Sequence, residues 1–141
     1  MNSYPRSTPW AHPDQVREVA PGIVEFATPS HGGYWLSPAR LAALPPELGA
    51  FSPWAGPGWY EEDCDWAIVT AAFPELCPDK AVFHAVCTIR DYGADRADGT
   101  RYFGAAHAWL LSEAGAALRA IHDRFQATLT PSLTSHEPQT H

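Results

Sequence analysis

Basic residues, cysteine and long apolar runs are all scarce in this sequence, and each shortage excludes a class of protein. Nine Lys and Arg stand against sixteen Asp and Glu, a formal net charge of -7 over 141 residues. A surface that neutralises phosphates or anionic lipid needs the opposite sign, so neither nucleic acid nor a membrane is expected as a partner. No apolar run approaches the roughly 20 residues that span a bilayer as a helix. The opening MNSYPRSTPW lacks the basic-then-apolar order of a signal peptide. The three cysteines, Cys64, Cys77 and Cys87, cannot all pair within one chain and form no C-x-x-C. They fit buried thiols in a reduced, cytoplasmic protein. Also missing are H-x-x-x-H, H-E-x-x-H, any Cys/His cluster, a G-x-S-x-G elbow and a glycine-rich phosphate loop. The sequence therefore implies neither a metal nor a cofactor.

Apolar material, by contrast, is plentiful. Hydrophobic residues make up 45% of the chain and aromatics 12%, with six Trp, enough to build one core at this length. Residues 1–15, with Pro5, Pro9 and Pro13, and residues 130–141, TPSLTSHEPQTH, are short of packing groups. They are expected as flexible ends of a single globular domain over 16–129. Inside it, Pro21-Gly22 signals a turn, and the alternation in IVEFAT predicts a strand over 23–28. YWLS returns as an antiparallel strand over 34–37, across a connection, 29–33, of hairpin length. Ser37-Pro38 opens a helix, Ser as cap and Pro in its first position, running through ARLAAL to Pro45-Pro46. Residues 47–59 form a loop that must be pinned by burying Phe51, Trp54 or Trp59. Helices are expected at 59–72, with Tyr60, Cys64, Ala67, Ile68 and Ala71 on one face, and at 79–91, with Val82, Phe83, Val86 and Ile89 as its stripe. A polar loop at 91–100 leads to a last helix at 104–128, where Gly115 invites a break. The expected fold is α+β, a short antiparallel hairpin or small sheet packed against three to four helices.

Two stretches carry the titratable groups of interest. In TPSHGGYWLS, His31 precedes Gly32 and Gly33. His-Gly-Gly amides form the oxyanion hole of some esterases. The plainer account is a tight turn whose glycines supply positive φ beside a solvated imidazole. In YEEDCDW, taken as the start of a helix, Glu61 and Asp65 share a face and Glu62 lies near Asp65 and Trp66. Paired carboxylates raise one another's proton affinity and suit acid–base work, and acids in a first helical turn also complement the macrodipole without further purpose. The candidate catalytic set is His31, Tyr60, Glu61 and Glu62, with His31 or a Glu as base. Gly32, Gly33, Asp63 and Asp65 border it as candidate binding residues. Trp35, Trp54 and Trp59 crowd around both stretches. Left partly exposed they are anchors for a protein partner; buried, they are core that pins the 47–59 loop. Cys64 reads as a buried thiol, and Arg119, His122 and Asp123 as the solvated face of the last helix.

TPSHGGYWLSPARLAALP, followed after a short gap by WYEEDCDWAIV and FPE, resembles an uncharacterised bacterial family found on plasmids and prophages. Its members share the HGG turn, a Leu-Ser strand end and a YEEDCDW-like segment. No established activity comes with the resemblance. It implies a mobile-element accessory protein that binds a host or defence-system protein, as anti-CRISPR inhibitors do. The alternative reading is a small hydrolase or transferase using His31 with Glu61 and Glu62.

Overall fold

Ile23, Glu25 and Ala27 alternate with Val24 and Phe26, sending successive side chains to opposite faces, and the strand they make, β2 (Ile23–Ala27), lies inside the sheet. In the computed structural model, which describes residues 4–93 and 101–129, β2 pairs antiparallel with β1 (Gln15–Ala20) and β3 (Gly32–Leu36). A three-residue strand, β4 (Trp59–Glu61), pairs with β3 and completes the order β1-β2-β3-β4. With its helices the fold is α+β. The tail expected at 130–141 and most of the polar loop expected at 91–100 lie outside the described residues.

The turn between β1 and β2 is the expected Pro21-Gly22. Gly22 has φ +83, a conformation that disfavours any side chain. Ser37 caps α1 (Pro38–Ala42) as expected, its hydroxyl accepting from Arg40 N at 3.2 Å. One further helical turn, α2 (Pro46–Gly49), sits at the start of the expected loop. The expected helix at 59–72 is a correction. Its helical part, α3, is only Trp66–Ala72, because the backbone of 59–61 bonds to β3 and Glu62 N donates to Gly32 O at 2.8 Å. Sheet pairing satisfies those groups first, and Tyr60 becomes a strand residue.

α4 (Asp79–Gly93) buries Val82, Val86 and Ile89 of the expected stripe. The long last helix breaks where Gly115 weakens it, into α5 (Gly104–Leu111), a 3-10 turn over Glu113–Gly115 and α6 (Ala116–Leu129). Arg119 ties the break by donating to the carbonyls of Leu110 at 2.5 Å and Ser112 at 2.7 Å. His122 departs from the expected solvated face. It is 5% exposed, stacks on Phe83 with ring centres 4.9 Å apart, and turns Nδ1 to the Asp123 carboxylate at 2.9 Å. No helix among the described residues is long and apolar enough to cross a membrane.

Different parts of the chain cover the two faces of the sheet. Ile23, Leu36 and Tyr60 join the main core with Ile68, Val82, Val86, Ile89, Phe103, Leu110 and Leu118. Each such side chain contributes about 1.5–3 kcal/mol by leaving water. Val24 and Phe26 are as deeply buried, at 1% exposure, yet stand apart from that core. Their cover is aromatic: Tyr4 meets Phe26 edge-on at 5.9 Å, Trp59 lies 5.5 Å from Phe26, and Trp10 packs edge-on against Trp59 at 5.6 Å. The outer face is thus roofed by the segment preceding β1.

Candidate functional site

The turn that presents His31 is closed by threonine. Thr28 N donates to His31 O at 2.8 Å, and the Thr28 hydroxyl both donates to His31 O at 2.6 Å and accepts from His31 N at 3.0 Å. The two glycines belong to β3 and not to the turn, which corrects the expected role for them. Space decides them. A Cβ on Gly33 would collide with Tyr60 O and lie 2.8 Å from Trp10 Cη2, while one on Gly32 would lie 2.7 Å from Phe26 O.

Gly33 pairs with Glu61, Tyr34 with Tyr60 and Trp35 with Trp59. The imidazole and the acidic stretch therefore meet: His31 Nδ1 is 3.4 Å from Glu61 Oε2. Strand alternation then divides the remaining candidates. Tyr60 points into the core, where burial first and Asp65 second push its phenol up to about 12. Glu62 turns to the helix side, its Oε1 only 3.1 Å from where a Gly32 Cβ would be. Glu61 is alone beside His31. Burial, then the charge of Asp63, raises its carboxyl above the ordinary range, against a smaller opposing effect of His31. Asp63 is exposed in the turn that follows. Burial also raises all three free thiols, Cys64, Cys77 and Cys87, so none of them is poised as a thiolate.

Asp65 is the charged residue that the fold hides. It is 2% exposed, and its carboxylate accepts the Tyr102 hydroxyl on Oδ1 and the Trp54 backbone N–H on Oδ2 at 3.3 Å. It thereby joins the Pro/Gly-rich loop before β4 to the segment entering α5. Tyr102 is raised well above a free phenol by burial, then by this bond. Trp54 is 82% exposed, although its backbone N–H is held by Asp65. Tyr102, whose hydroxyl shares that carboxylate, and Tyr92 are 38% and 40% exposed with rings 6.1 Å apart, and Phe51 lies 5.2 Å from Tyr102. Trp35 and Trp59 are half-buried on the outer face of the sheet, away from this patch.

The candidates are therefore dispersed: His31 with Glu61 beside the β3–β4 pair, Tyr60 in the core, Glu62 on the helix side, Trp35 and Trp59 on the outer face, and Trp54 on the loop that Asp65 holds. Sequence reasoning missed Tyr102, whose spacing from Asp65 carries no periodic signal. The comparisons with known proteins fit a domain without an assigned chemistry. No curated protein and no solved structure matches the chain significantly. A family model described as a domain of unknown function, DUF7007, matches residues 3–119, and the chain belongs to that family.

Proposed function

We propose that the domain works by binding another protein and that Trp54 is its anchor. One observation carries this reading: Trp54 stands 82% exposed on a loop whose backbone is held by a buried carboxylate. An isolated exposed apolar residue needs no explanation. One whose backbone is already tethered, by a carboxylate that also holds partly exposed Tyr102, has less backbone freedom to lose on association and resembles the aromatic centre of an interface. Exposed Glu62 and Asp63 lie in the turn that leads to Asp65, so the complementary surface is basic. The motifs HGG and YEEDCDW, which resemble those of a plasmid- and prophage-borne family, support a host or defence-system protein as the class of partner, bound in the cytoplasm as an anti-CRISPR-like inhibitor binds its target.

The test begins with capture from host lysate and continues with the purified partner. Trp54→Ala is expected to leave the unfolding free energy within about 0.5 kcal/mol and to weaken binding at least tenfold, the scale of an interface hot spot. A partner that binds wild type and Trp54→Ala alike defeats the reading. A small hydrolase or transferase is the second reading, favoured by the 3.4 Å contact of His31 with Glu61, which orients an imidazole as a base. Turnover of acyl or phosphoryl esters lost in His31→Ala would support it over the first.

A further inference from the structure

The helix side of the sheet carries a feature that the Trp54 surface does not use. An open cleft of about 350 Å³ lies beside Glu62, lined in part by Gln15, Arg17, Glu25, Tyr34, Glu62 and Trp66. Two charges of the lining cancel, since Arg17 Nε and Nη2 donate to Glu25 Oε1 at 2.9 and 2.6 Å. Glu62 is the remaining one: its side chain makes no ion pair with another described residue. Its carboxylate stands close to the sheet surface because Gly32 leaves the space beneath it empty. Tyr34 is half-buried and its phenol is raised by burial, then by Glu25, so it presents a neutral ring and a hydroxyl donor. Trp66, at the first position of α3, adds a second aromatic wall.

We propose that this cleft receives the guanidinium of an arginine side chain from the partner protein, its face against the Trp66 and Tyr34 rings and its fork on the Glu62 carboxylate. A lining with one net negative charge and two aromatic side chains favours a cation. A planar, weakly hydrated one that meets a carboxylate through two parallel N–H bonds fits better than a compact ammonium. The inference rests on the reading of the domain as a protein-binding module. Glu62 and Asp65 stand at the two ends of one short turn, which joins the cleft to the residue that holds the Trp54 loop.

The experiment titrates the whole protein with a tetra-arginine peptide, its citrulline counterpart and a tetra-lysine peptide, following the Trp66 indole N–H by NMR. The arginine peptide is expected to shift that signal saturably and to bind at least tenfold tighter than the citrulline peptide and more tightly than the lysine peptide. Glu62→Gln, a change at an exposed position, should weaken the arginine peptide about tenfold, whereas Glu113→Gln, which removes an exposed acid outside the cleft, should leave it unchanged. Equal binding of arginine and citrulline peptides, equal binding of arginine and lysine peptides, no shift of Trp66, or a Glu62→Gln variant that binds like wild type each overturns the inference. If any of these occurs while partner capture still depends on Trp54, the cleft reading alone has failed. A cleft that takes the arginine peptide in a protein without a Trp54-dependent partner means the reverse.

Discussion

The bond between Tyr102 and Asp65 offers the most direct check on how the exposed loop is held. A hydrogen bond to a charged acceptor contributes about 1.5–3 kcal/mol, so the two that Asp65 accepts sum to about 3–6 kcal/mol. Two effects reduce the loss in Asp65→Ala. Both donors belong to residues that reach water, Trp54 and Tyr102, and removing the carboxylate also removes its own desolvation cost. The expected loss is therefore about 2 kcal/mol. Tyr102→Phe is expected to cost as much or more, about 2–3 kcal/mol, because it leaves a 2%-exposed carboxylate holding only the longer bond from Trp54. In the double variant the Tyr102 change has no carboxylate left to strand. The cycle should return a coupling of about 1–2 kcal/mol. Urea unfolding followed by circular dichroism measures all four proteins, and hydrogen exchange at the Trp54 amide reports the loop itself. A Tyr102→Phe variant within 0.5 kcal/mol of wild type, or a coupling near zero, would refute the assignment of Asp65 as the loop's tether.

Three other outcomes are expected. Gly33→Ala should cost about 3 kcal/mol or more by driving a methyl into Tyr60 O and Trp10, seen as a lowered urea midpoint and shifted β3 and β4 amides; a neutral effect would mean that β3 and β4 separate easily. Alkaline conditions should destabilise the fold: an unfolded Tyr60 loses its proton near pH 10 while the folded one keeps it to about 12. Stability therefore falls as pH rises through that window, by up to about 1.4 kcal/mol per unit, with Tyr102 adding the same sign, and urea midpoints that stay level from pH 9.5 to 11 would contradict the burial of these phenols. Finally, Cys64, Cys77 and Cys87 should react with a thiol-specific disulfide reagent at pH 8 at least tenfold more slowly in the native than in the unfolded protein, since burial raises each of them; equal rates would place them at the surface.

Local chemistry made much of this protein legible before its structure. The Pro21-Gly22 turn, the Ser37-Pro38 helix start, the stripe of α4 and the weak point at Gly115 each follow from the backbone preference or the periodicity of a few neighbouring residues. So does the α+β class. β1 and β4 were not legible: the side chains of β1 are largely exposed, and β4 is three residues that become a strand only by bonding to β3. His122 was misread because Phe83, which covers it, comes from another helix.

The same division runs through the candidate site. Composition and motif spacing selected His31, the YEEDCDW acids and Trp54 as residues worth attention. Only the pairing of β3 with β4 decided that Glu61 meets His31 while its neighbours Tyr60 and Glu62 point away, because side chains along a strand alternate and a helix would have grouped them differently. Only the approach of the segment entering α5 to the turn before α3 made Asp65 a buried tether and left Trp54 facing water. Those contacts join residues up to 37 positions apart, and a sequence read through short-range preferences does not contain them.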